Sequence, residues 1–122
     1  MNTACSDFAL AIAKRSPELQ SAYDGTFDYW APDQPPVTIL FAALGDEIAV
    51  TLGRCSLAAE QELFSRIEDA ISSDDEELAT AVATGLVESI VSKLAQDEVA
   101  LHRVLSMFGE QTRSHARAWL SE

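Results

Sequence analysis

Basic residues are scarce in this chain: 8 Lys and Arg stand against 20 Asp and Glu in 122 residues, a formal charge of -12. A field of that sign repels phosphate backbones and anionic lipid, so it argues against nucleic acid and membrane as partners, and it attracts cations and basic proteins. The two cysteines, Cys5 and Cys55, lie far apart and have neither C-x-x-C nor Cys/His spacing. That excludes a legible disulfide framework or zinc site and leaves buried or inert thiols. No apolar run reaches the roughly 18 residues a membrane span needs, and the first residues lack the pattern of a signal peptide. The expectation is a cytoplasmic protein. Phosphate-cradling glycine loops, a dinucleotide fingerprint and H-E-x-x-H are also missing, so the sequence gives no ground for an enzyme or for a cofactor.

What is present is apolar periodicity. Hydrophobic residues make up 48% of the chain, enough to form one core, and the length suits one domain over 1–122. Phe8 and Ile12 suggest a helix over 6–15 behind Ser6-Asp7. Ser16-Pro17-Glu18 reads as a fresh cap with proline at the first helical position, opening a short helix to about Tyr23. Residues 24–36, DGTFDYWAPDQPP, hold three of the four prolines and read as a loop rich in aromatics. In 37–53, Val37, Phe41, Leu44, Ile48 and Leu52 follow a helical stripe between Pro36 and Gly53. A β-hairpin turning at Gly45-Asp46 is the alternative there. Further helices run from Ser56 to about Ser72, from Ser73-Asp74-Asp75-Glu76, which has capping-box spacing, to about Gln96, from Asp97-Glu98 to Gly109, and over 110–121. The sum is an all-α, single-domain bundle of six or seven short helices. Gly45 and Gly85, 40 residues apart inside helical patterns, fit either stacked helix pairs or close helix approach.

Chemistry-bearing clusters are few. The run Asp74-Asp75-Glu76-Glu77 offers hard oxygen ligands but lacks the alternating positions and glycine turn of a calcium loop, so it reads as capping and solvated surface that could meet a basic partner. Glu98 and His102 are spaced i, i+4 but have no third ligand in view, since His115 falls on another predicted helix. Cys55 has Arg54 beside it and no neighbouring histidine to act as base. The charge is uneven, with the negative field centred on 73–100 and the last segment slightly basic. Tyr29 and Trp30, set among Asp24, Asp28 and Asp33, have the makeup of an interface anchor facing a basic protein, with Tyr29 the more exposed.

Leu63-Phe64-x-x-Ile67-Glu68-x-x-Ile71, then Val82-Ala83-Thr84-Gly85-Leu86-Val87-Glu88, and later Phe108-Gly109, Arg113 and Trp119, resemble a small all-helical bacterial family of unassigned function. That family is similar to the immunity proteins of polymorphic and contact-dependent toxin systems. The resemblance covers about 60–122 and rests mostly on apolar residues, with Glu68 and Glu88 among them, so it implies a shared core and transfers no catalytic role. It leaves Glu68 and Glu88 either buried and hydrogen-bonded or facing a partner. The expected function is non-catalytic protein binding: an immunity or antitoxin-like protein that neutralises a cognate basic toxin through Asp74, Asp75, Glu76, Glu77, Tyr29 and Trp30. The alternative is a helical scaffold or regulatory adaptor, monomeric or homodimeric.

Overall fold

Small polar side chains set most of the helix starts. In the computed structural model, which describes residues 1–121, Asn2 caps α1 (Thr3–Ala13) and Ser16 caps α2 (Pro17–Trp30). Pro36 precedes α3 (Val37–Thr51), and Ser56 caps α4 (Leu57–Ile71). Asp75 caps α5, a continuous helix made of Glu76–Thr80, a π-helical segment Ala81–Val87, and Glu88–Leu94. Asp97 caps α6 (Glu98–Met107), and α7 (Glu110–Leu120) follows Gly109. The chain is all-α, with seven helices and no strand among the described residues. None of the helices is long and apolar enough to cross a membrane.

Residues 37–51 of the stretch 37–53 are helix, so the hairpin alternative fails. Its apolar residues bury Leu40, Phe41, Leu44 and Ile48 on one side, an outcome that alternate strand residues could not give. Gly53, at φ +91°, ends the segment in the left-handed region.

Three expectations need correction. Helix α1 begins three residues earlier than Ser6, because the Asn2 side chain accepts the Cys5 N–H at 2.9 Å. Residues 24–30 are helix rather than loop: Tyr23 and Phe27 recur at i, i+4 after the buried Leu19 and pack against the core, and the true connection is 31–36. That stripe outweighs Gly25, and the prolines that suggested a loop all follow Trp30. At α5, Ser73 is not the cap. Its hydroxyl accepts the Asp75 N–H two residues on, a local turn that leaves Asp75 to accept the Leu78 N–H at 2.9 Å.

Helices α3 and α5 cross at the centre. The α5 ladder Leu78, Val82, Leu86, Ile90 and Leu94 is buried throughout. A four-residue period overshoots the 3.6-residue turn by about 40° per step. The wider turn of the π-helical segment reverses that drift and keeps the ladder inward. At the crossing, Gly45 of α3 lies against Leu86 and Ser89, and Gly85 of α5 against Phe41 and Thr38. The two glycines thus serve close helix approach. Aromatic pairs lock the flanks: Phe8 stacks on Phe41 with centroids 5.5 Å apart, and Phe64 meets Phe108 edge-on at 5.4 Å.

Cys5 is buried, and burial together with the nearby Glu77 and Asp75 pushes its thiol up to about 11. Cys55 is exposed. Thiolate is the reactive form, so a native-state alkylation time course is expected to label Cys55 quickly and Cys5 only on unfolding. Equal labelling of both thiols in the folded protein would contradict the burial of α1.

Candidate functional site

Four carboxylates that might have formed a site instead hold the helices together. Glu60 of α4 is 1% exposed and receives a two-pronged bond from Arg103 of α6, at 2.5 and 3.0 Å, while the Gly53 N–H donates to it at 3.3 Å. Glu68 of α4 stands at the start of α7, which has no side-chain cap of its own, and accepts the N–H groups of Gln111 and Thr112 and the Thr112 hydroxyl at 2.7–3.0 Å. Glu88 of α5 pairs with His115 of α7 at 2.8 Å, and Trp119 of α7 donates to Ser92 at 3.1 Å. Glu62 bridges Arg15 and Arg66. The alternatives left open for Glu68 and Glu88 therefore resolve to hydrogen-bonded roles inside the fold.

Each pairing leaves an electrostatic trace. The Arg103 guanidinium holds Glu60 below the usual carboxylate range, and Arg15 does the same for Glu62. Burial pushes Glu68 up, but its bonds from Thr112 and Gln111 outweigh burial and hold it low. The Leu78 N–H and the Asn2 amide lower Asp75. A carboxyl whose folded value lies below its unfolded value stabilises fully above the unfolded value, near 4.5 for Glu, and loses that contribution as pH falls through the folded value. Melting temperature is therefore expected to drop as pH falls below 4.5. At neutral pH added salt should raise it, by screening the self-repulsion of a -12 chain. A flat acid limb in thermal melts would mean that these pairs do not form.

The Glu60–Arg103 pair makes a separate prediction. Removing one partner strands a buried charge, whereas replacing both with leucine removes the charge altogether. Arg103→Leu alone is thus expected to lower the thermal midpoint more than the Glu60→Leu/Arg103→Leu double variant, the opposite of additive losses.

The acidic run 73–77 proves partly committed. Asp75 caps α5 and grips the Asn2 amide at 3.1 and 3.2 Å, and Glu77 accepts the Asn2 backbone N–H at 3.3 Å, which ties the N-terminal residues to α5. Asp74 and Glu76 are exposed and lie outside these bonds. Tyr29 is 84% exposed, with its ring edge-on to Trp30 at 6.1 Å, and Trp30 is half-buried. Tyr29 and Trp30 lie at the end of α2, and the acidic run lies at the start of α5, beside the N-terminal residues. Among the described residues no three His, Cys, Asp or Glu side chains gather as a metal site would require, and Glu98 and His102 are both exposed on α6. Cys55 opens onto a small cleft with Arg15, Arg54 and Leu19 that neither histidine lines.

Between Ser16 and Gly53 there is no Lys, Arg or His at all, while Glu18, Asp24, Asp28, Asp33, Asp46 and Glu47 fall in that span. None of these six enters an ion pair among the described residues. No protein family, curated protein or solved structure matches the chain. Arg15, Arg66 and Arg103 are held in ion pairs, and Arg113 is turned onto the Leu105, Ser106 and Phe108 carbonyls. The surface field is therefore dominated by the free carboxylates, most evenly across the α2–α3 hairpin. The base-free span is visible in the sequence itself, in a stretch less densely charged than 73–77.

Proposed function

We propose that this protein binds and neutralises a cognate basic protein, in the manner of an immunity protein or antitoxin, and that it has no catalytic role of its own. The observation that carries this reading is the division of charge. Half of the 8 Lys and Arg are engaged in ion pairs or backbone bonds, while Asp24, Asp28, Asp33 and Asp46 of the α2–α3 hairpin are exposed and outside any ion pair among the described residues. Such a field speeds encounter with a positively charged surface and fixes orientation over it, as blocking a basic catalytic cleft requires.

The test is co-expression with the product of the neighbouring gene, followed by copurification across a salt series. A complex that weakens as salt rises, and that suppresses the partner's activity, supports the reading. Absence of salt-sensitive binding to any basic protein sinks it. Light scattering then separates the adaptor alternative, for which a tight homodimer without a basic partner is the expected result.

A further inference from the structure

We infer that the outer face of the α2–α3 hairpin is the docking surface, and that its occupant is a basic amphipathic helix of about three turns presented by the partner. This inference rests on the proposed binding of a basic protein and adds where and through what chemistry it occurs. The connection 31–36 is short, so α2 and α3 run antiparallel side by side. On α2, Glu18, Ala22, Gly25 and Tyr29 recur at i, i+4, i+7, i+11, a stripe about 16 Å long. On α3, Ile39, Ala43, Asp46 and Val50 repeat the same spacing, and Ile39 and Val50 are each 47% exposed. A surface groove between Glu18, Ala22 and Glu47 joins the two stripes at one end. An added Cβ at Gly25 would meet nothing within 4 Å, so the face is open there.

The face therefore has Ala22, Gly25 and Ala43 as small residues, Tyr29, Ile39 and Val50 standing out of it, and the carboxylates of Glu18, Asp46 and Glu47 within it, with no base on either helix. Helix-in-groove recognition needs those parts: apolar anchors at helical spacing, and rims charged opposite to the ligand. A second copy of this chain is disfavoured as occupant, because two such faces would set carboxylates against carboxylates.

The probe is a synthetic Leu/Lys amphipathic peptide of about five turns, titrated into the full 15N-labelled chain. Its control is a peptide of equal charge without an apolar stripe. Expected are shifts confined to 18–29 and 39–50, and affinity falling about tenfold or more for Tyr29→Ala and for Asp24→Lys/Asp28→Lys. Asp74→Lys/Glu76→Lys should change affinity less than threefold. All of these positions are exposed, so circular dichroism should report unchanged folding. Equal binding of the control peptide, or self-association through this face, overturns the inference. Shifts centred on 73–77 overturn the assignment of this face while the basic partner stands, and failure of every basic probe removes both.

Discussion

Gly45→Ala is expected to destabilise the domain by about 3 kcal/mol, against the usual benefit of replacing glycine by alanine in a helix. A Cβ at Gly45 would lie 2.5 Å from the Leu86 carbonyl oxygen and 3.0 Å from Ser89 Cβ. The first of these is backbone at the heart of α5, which cannot rotate out of the way. Gly85→Ala meets the other side of the same crossing, at 2.8 Å from Phe41 Cβ and 3.0 Å from the Thr38 carbonyl oxygen. Because both changes force the same two helices apart, the double variant should lose less than the sum of the singles. Gly25→Ala is the control: the site is exposed and open, so helix propensity should win and stability should rise by about 0.4–1 kcal/mol. Urea midpoints at constant slope measure all four variants. A Gly45→Ala protein as stable as the parent would mean that α3 and α5 do not pack this closely.

The second large effect concerns Glu68. Removing its carboxylate takes three hydrogen bonds from the start of α7 and leaves the Thr112 hydroxyl, which is fully buried, without an acceptor. Loss of a charged cap together with a stranded hydroxyl is worth about 2–3 kcal/mol, so Glu68→Ala should fall by that amount. Glu68→Gln, which keeps one acceptor oxygen, should recover part of it. Because Gly109 is the residue over which the glutamate stem lies, a side chain there should mimic the loss: its Cβ would overlap Cγ and Cδ of Glu68. Amide exchange locates the damage. Protection should drop first in α7, because that helix has no side-chain cap other than the one α4 supplies. Uniform loss across all seven helices would argue for a general core effect instead.

Local signals carried much of the architecture. Ser16-Pro17, Ser56 and Asp97 begin helices where they stand in the sequence, because a side-chain oxygen accepting an N–H two or three residues on needs no distant help. The apolar ladder of α5 was equally legible, although its strict four-residue step carried an unread message about the widened turn. The misreadings have the same kind of cause. Ser73 has the spacing of a cap, but it bonds to Asp75 first. The 24–36 segment was weighed by its prolines, when the aromatic stripe ahead of them decides the conformation. Illegible in principle were the partners of Glu60 and Glu68, which lie 43 and 44 residues away and follow no periodic rule. The 73–77 run is divided by contacts of the same distant kind: Asp75 and Glu77 are taken by Asn2, 73 and 75 residues away, while Asp74 and Glu76 stay exposed.

The missing bases of the α2–α3 hairpin also decide which chemistry can see it. A protease that cuts after lysine or arginine finds no site between Arg15 and Arg54, so Ser16–Arg54 leaves as one peptide whether the protein is folded or not. Amine-directed cross-linkers are equally blind to it. Footprinting of a complex by those routes would report the remainder of the molecule and pass over this hairpin. Carboxyl-directed labelling, or cleavage after glutamate, is the chemistry that reads it.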